Sequence, residues 1–353
     1  MEMILKLSSF ITFYLLILYS FESANFKQNL TKFSISSYKY IVNKNGIRNL
    51  EVKDENDNYI IIYYKENCNY SKGFKTESRS DIRYIINREN NNKLTTEEKF
   101  NVHKGYGIEI HFNESIYFLD ELFSQELDEN MEYLISVDFT HFDSSQIVSM
   151  RHAFAGCASL ESIDFSNFNA PNLVNMFATF YSCESLKSVD LSSFKPLNLQ
   201  IMTLTFFMCT SLKSIDFSNF NTSYVLRMDS LFSGCQSLKS IDLSNFETSN
   251  VQTMEDLFLG CHSLESIDVS NFDTSNVQNM NHMFAWCNSL KSIDLSNYDV
   301  SNVIDIHGMF VGCSLLKSID LSNFNTSKVI YMAVLFIFCN SLESINLSNF
   351  DTS

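Results

Sequence analysis

The sequence lacks most of the signatures that mark catalysis. It has no Gly-rich phosphate loop, which excludes the common backbone cradle for nucleotides. Its seven His (His103, His111, His141, His152, His262, His282 and His307) are scattered, and none stands at metal-ligand spacing from a Cys or an Asp. Ser, His and Asp are common enough here that their proximity defines no triad. Basic residues are scarce where acidic ones are many: residues 131–353 hold 22 Asp and Glu against 9 Lys and Arg, net −13, while the remainder is only −3. That balance argues against nucleic acid and anionic membrane surfaces as partners. No second long apolar run follows the N-terminal one, and no Cys lies near residues 20–24 to carry a lipoprotein anchor.

What the chain does have is one stretch written repeatedly. Cys157, Cys183, Cys209, Cys235, Cys261, Cys287, Cys313 and Cys339 are each separated by 26 residues. A Phe precedes each by three positions, from Phe154 to Phe336, and a Leu follows each by three, from Leu160 to Leu342. A fixed period of this length predicts a solenoid, in which short units stack and none folds alone. One Cys per unit at even spacing reads as a ladder of buried thiols, with disulfides between neighbouring coils as the alternative. Cys68 alone stands outside it.

The chain opens with one Lys before an apolar run, then Ser20, Ser23 and Ala24. The run is short for a bilayer span, so residues 1–24 are expected to be a secretory signal peptide, with a signal anchor as the alternative. The mature chain is then exported and carries no membrane span. Residues 25–107 are polar and Asn-rich, with strands expected over Tyr59–Tyr64 and 82–86 in a small β-containing domain or a loosely ordered segment. An array needs its open end covered, and residues 108–130, a strand followed by a helical pattern over 115–127, are the expected N-terminal cap. Residues 131–353 are the repeats, with Met131 in the Cys position of a degenerate first coil and the last coil incomplete. Ending in mid-unit at Ser353 is the mark expected of a fragment of a longer protein.

Within the unit from Cys235, Leu238, Ile241 and Leu243 alternate with Asp242 and Ser244, strand spacing with one face buried. Stacked in register, such strands form a parallel sheet. Ser244 and Asn245 turn the chain, and Phe246 folds back inside. Met254, Leu257 and Phe258 at i, i+3 and i+4 predict one helical or 3-10 turn per coil. Gly precedes Cys at Gly156, Gly234, Gly260 and Gly312, but Ser182, Met208, Trp286 and Phe338 take that place elsewhere, so the position is not expected to require positive φ.

This pattern, L-x-S-I-D-L-S-N-F-x-T-S-N-V-x-x-M-x-x-x-F-x-G-C, resembles the BspA-like leucine-rich repeat surface proteins in their 26-residue variant, over about residues 131–353. It departs from the common repeat L-x-x-L-x-L-x-x-N, whose Asn position holds Phe246 or its equivalents here. The resemblance implies a leucine-rich-repeat-like solenoid with a parallel β-sheet, secreted or displayed at the cell surface, that binds host, matrix or other extracellular protein or glycan ligands. It implies neither enzymatic activity nor a cofactor. A spacer presenting another module is the second reading, and a small enzyme or inhibitor within residues 25–107 the third.

The polar residues that repeat most evenly are Asp164, Asp190, Asp216, Asp242, Asp268, Asp294 and Asp320, with Asp138 before them and Asn346 after. Three readings are open for this column. It is a solvated ladder bonded to neighbouring Ser, a groove for a basic protein surface, or a calcium surface, although single carboxylates lack the clustered oxygens of a dedicated site. Lys187, Lys213, Lys239, Lys291 and Lys317 beside it are expected to offset part of its charge. Sequons at Asn29, Asn69, Asn113, Asn221, Asn325 and Asn346 are glycosylation candidates in a eukaryotic secretory route, or chance products of an Asn- and Ser-rich chain.

Overall fold

The computed structural model describes residues 58–351, apart from 66, 71–81, 96–97, 105, 113–115 and 126–128. The expected signal peptide and residues 25–57 lie outside them. Within the compact unit Asn56–Ser353, the first part is β1 (Tyr59–Tyr64), β2 (Cys68–Tyr70), β3 (Ile82–Asn87), β4 (Asn92–Leu94), β5 (Phe100–Val102) and β6 (Gly107–Phe112). The repeats supply β7 (Leu134–Asp138), β8 (Ser162–Asp164), β9 (Ser188–Asp190), β10 (Ser214–Asp216), β11 (Ser318–Asp320) and β12 (Ser344–Asn346). One six-stranded sheet runs β4-β3-β6-β1-β7-β8. β1 pairs antiparallel with β7, the first repeat strand, and β7 pairs parallel with β8. β6 therefore straddles the expected 107/108 boundary, and the antiparallel sheet is continuous with the repeats. Ile60, Ile62 and Tyr64 of β1 are fully buried, so this sheet covers the first edge of the array.

Residues 116–125, where apolar spacing predicts a helix, form turns instead. They are a copy of the turn leg of a repeat. Phe118 bridges Ser149 in parallel, and the N–H groups of Leu119, Glu121 and Phe123 donate to the carbonyls of Ser149, Arg151 and Ala153. The covering element is thus a sheet plus one turn leg, with a 3-10 turn over Glu129–Tyr133 leading into β7.

The turn leg itself corrects the expectation of a helical turn per coil. In Met254–Cys261 the Leu257 N–H donates to Met254 C=O and the Cys261 N–H to Phe258 C=O. Each is an i to i+3 bond, with φ of 54° at Asp256 and 72° at Gly260 as the third residue. Two consecutive turns of this kind carry the type II signature, and the third residue must be left-handed. Every position before Cys is left-handed, including Ser182 (56°), Met208 (58°), Trp286 (59°) and Phe338 (64°). The sequence expectation that positive φ is dispensable there is wrong. A second left-handed series, from His152 and Ala178 to Val334, carries only one Gly, Gly308. The alternate N–H groups point out of the unit: Met254, Asp256, Phe258 and Gly260 donate to carbonyls of Asn279, Asn281, Met283 and Ala285 in the next repeat. Every turn is therefore tied to its neighbour by backbone bonds.

The expected parallel sheet is present in part. β7–β8, β9–β10 and β11–β12 pair in parallel, while residues 240–242, 266–268 and 292–294 form no strand. The unbroken ladder is on the turn leg, where parallel bridges run from Phe118↔Ser149 to Asp305↔Tyr331. Where strand pairing lapses, side-chain amides substitute. The Nδ2 of Asn271, Asn297 and Asn323 each reaches two or more carbonyls of the preceding repeat, such as Leu243, Val269 and Leu295. The core between the legs is one continuous apolar cluster. Phe154, Phe180, Phe206, Phe232, Phe258 and Phe284 stack ring over ring at 5.2–6.0 Å down its axis.

Candidate functional site

The repeated polar residues divide into those that join repeats and those that face water. The Asn of S-N-F joins repeats: Asn219 and Asn245 donate to Ser192 and Ser218 carbonyls, both at 2.9 Å. The Asn of T-S-N does so at a second corner, Asn250 to Ser223 C=O and Asn276 to Ser249 C=O, both 2.7 Å. Thr248 and Thr274 reach the other way, donating to Asp273 and Asp299 carbonyls at 2.9 Å. These side chains are committed to stacking.

Asp164, Asp190, Asp216, Asp242, Asp268, Asp294 and Asp320 are all exposed, on the strand face with the Ser column beside them. Each carboxylate also does a local job. Its Oδ1 accepts the N–H of the Ser two residues on, at 2.8–3.0 Å, closing the turn after the strand. The hydroxyl of that Ser, and then its N–H, hold Asp242, Asp268 and Asp320 below the usual carboxylate range. Asp294 is likewise depressed by the Ser296 N–H and then its hydroxyl. Asp268 opposes the fall at both Asp242 and Asp294, so neighbouring repeats sense one another's charge. At the start of the array this face opens into a shallow groove lined by Ser136, Asp138, Ser162, Asp164, Ser166 and Asp190.

Part of the Lys column is engaged within its own column. Lys187 Nζ lies 2.7 Å from Glu161, and Lys239 and Lys291 lie 3.9 and 3.2 Å from Glu265. Those three cations are shared with carboxylates of their own column. Among the described residues, no group of three or more His, Cys, Asp or Glu could hold a metal ion.

The other sequence candidates fall into place individually. Asn29 and Asn113 lie outside the described residues, and Asn69 is in β2. Asn221, Asn325 and Asn346 are exposed, and each accepts the N–H of the Ser two residues on. Asp273 and Asp299 make the same bond in the equivalents of Asn221 and Asn325, so Asn there is one of two ways to close a turn. His262 contacts Trp286 C=O and Asn288 Oδ1 of the next repeat.

Sequence reasoning passed over a second ionisable cluster, on the turn leg. Arg227 clasps Asp229 at 3.0 and 3.1 Å, and Thr203 donates to the same carboxylate. One repeat on, Glu255 accepts from Asn279 (2.9 Å) and Asn281 (3.4 Å), beside Asp256. The available signal was within the repeat: these two columns hold Phe177 and Leu204 elsewhere, while Asp229, Glu255, Asp256, His282 and His307 bring ionisable residues to them in consecutive repeats.

The strand and turn geometry defines a β-rich array of 26-residue repeats with an acidic strand face. The chain belongs to the family described as Mycoplasma protein of unknown function, DUF285, which matches residues 117–239, 200–313 and 286–353 in overlapping segments. Searches of the curated proteins and of the solved structures each return no match.

Proposed function

We propose that the chain is a secreted or cell-surface, leucine-rich-repeat-like solenoid that binds an extracellular protein or glycan through its Asp- and Ser-bearing strand face, without catalysis. The observation that carries this reading is the exposed column from Asp164 to Asp320, whose carboxylates face water while Lys187, Lys239 and Lys291 beside it are engaged by Glu161 and Glu265. Such a face presents one repeated negative charge to a basic surface over several coils, and repeat arrays suit extended contact. The likeness to BspA-like surface repeats points the same way. Among the described residues no helix is long and apolar enough to cross a membrane.

The test is a four-fold Asp→Asn variant at Asp216, Asp242, Asp268 and Asp294. Asn346 already accepts the turn N–H of Ser348 at the equivalent position, so Asn removes charge and keeps the turn. Binding to an immobilised Lys-rich peptide should weaken several-fold at low salt, with a flatter salt dependence. Unchanged binding would reject this face and move the search to the turns over 247–250 and 273–276. The spacer reading has its own support, because the Asn and Thr columns are spent on joining repeats. Its signature would be no glycan or peptide binding by either protein.

A further inference from the structure

The cluster on the turn leg has more acceptors than donors. Asp256 is 8% exposed, and its Oδ1 has no hydrogen-bond partner. The His282 Nδ1 of the next repeat stands 3.5 Å from that oxygen. The Oδ1 of Asn281 is also sealed and without a partner. Asp229 is satisfied by Arg227 and Thr203, and Asp305 accepts the His307 N–H at 2.8 Å. Glu255 has no cation of its own. It meets only two amides, and Asp256, Asp229 and Asp305 all repel its charge. His307 lies edge-on to His282, with ring centres 5.3 Å apart.

An orphaned buried acceptor costs about 1–3 kcal/mol until a donor reaches it. An external guanidinium or ammonium could bring charge to such a cluster, but both orphaned oxygens are closed to solvent. The donor that fits is a proton taken up by the chain itself. A proton on Glu255 removes one of the clustered negative charges and adds an O–H facing the Asn281 amide, whose oxygen and nitrogen exchange places by a simple flip.

We propose that Glu255, Asp256 and His282, with Asp229 and Asp305 around them, form a proton-operated latch between adjacent repeats, closed when Glu255 is protonated and loosened when it is ionised. The groups come from four successive repeats, so the latch acts across their interfaces. Burial first, then Asp256, Asp229 and Asp305, raise the Glu255 carboxyl to about 7 from 4.5, and His282 opposes them. The direction follows from linkage. The folded state holds the proton more tightly, so the contribution is complete below 4.5 and is lost as pH rises through about 7. The array is therefore tightest here below 4.5 and loosens progressively as pH rises to about 7.

The test is hydrogen exchange of the full chain between pH 5 and 8, corrected for intrinsic rates. It follows the amides of Met254, Asp256 and His282, which donate across these interfaces. In the parent protein the opening equilibrium should grow by up to about tenfold per pH unit in the window below 7. Glu255→Gln, which cannot ionise, should abolish that slope. Asp256→Asn, an Asn where the backbone is already left-handed, should move the window to lower pH. A Glu255→Gln profile that overlays the parent overturns the latch. If that variant does not fold, carboxyl carbon NMR of the parent decides: Glu255 titrating near 7 supports the latch, and titration in the ordinary carboxylate range overturns it.

Discussion

At the scale of the residue, Cys and Asn show how a repeated side chain comes to be fixed. Every ladder thiol donates to the carbonyl of a Phe in the preceding repeat, as Cys183 to Phe154 and Cys261 to Phe232, both at 3.2 Å. The site asks for a small, mostly apolar side chain with one weak donor, which describes Cys. All nine cysteines are free, and burial pushes the ladder thiols up, Cys261 to about 12. Thiolate is the reactive form, so maleimide labelling of the native protein near pH 7 should be slow, with all nine sites appearing on denaturation. Rapid native labelling at Cys235 or Cys261 would contradict the burial on which this rests. Cys261→Ala should cost about 1–3 kcal/mol through the lost sulfur packing and hydrogen bond, read from hydrogen exchange in the flanking turns. The even spacing of Cys beside Phe and Leu was enough to read burial from the sequence. The thiol's acceptor was not legible, because it lies 29 residues away across an interface that only the stacking register defines.

At the scale of the element, the strand leg and the turn leg were unequally legible. Alternation in L-K-S-I-D-L reads directly as one buried face, and Leu238 and Leu243 are buried while Lys239, Ser240 and Asp242 are exposed. The turn leg deceived because two consecutive type II turns place apolar residues at i, i+3 and i+4, the same spacing a helix uses. The distinguishing mark, a left-handed residue every fourth position, shows in sequence only where Gly occupies it. A finer rule connects bulk and Gly along the column before Cys. Met208 is followed one repeat later by Gly234, and Trp286 by Gly312. A Cβ at Gly312 would stand 2.5 Å from Trp286 Cε3, and one at Gly234 2.5 Å from Met208 Sδ. Gly312→Ala therefore combines a φ of 76° with a clash against an indole, and a loss of about 2–4 kcal/mol is expected. In a Trp286→Ser background the clash is gone and only the backbone cost remains, about 1–2 kcal/mol. Equal losses in the two backgrounds, measured by denaturant unfolding, would mean the indole does not rest on this Gly.

At the scale of the whole molecule, the repeats touch their neighbours and the array is closed on one side by the β1–β6 sheet. Hydrogen bonds between repeats connect adjacent units at separations of 24 to 29 residues, as with Asn279–Glu255 and Cys287–Phe258. Stability is then a sum over units and interfaces, so a lesion divides the chain instead of weakening it uniformly. Leu238 is fully buried in the middle of the array, and its neighbour Lys239 has a side chain 76% exposed. Leu238→Asp removes a core side chain and buries an unpaired carboxylate, several kcal/mol at one interface. Lys239→Gln should change stability by less than about 0.5 kcal/mol. The division caused by Leu238→Asp should also be asymmetric. The part before it keeps its sheet, in which Ile62 pairs with both Ile108 and Val137, and should retain hydrogen-exchange protection. The part after it loses the neighbour on which its first unit stacks, and among the described residues it carries only the two-stranded β11–β12 sheet at its far end, so protection over residues 261–330 should collapse. Matching losses on both sides of Leu238 would show that the units fold as one body and that the covering sheet does not hold the first repeats by itself.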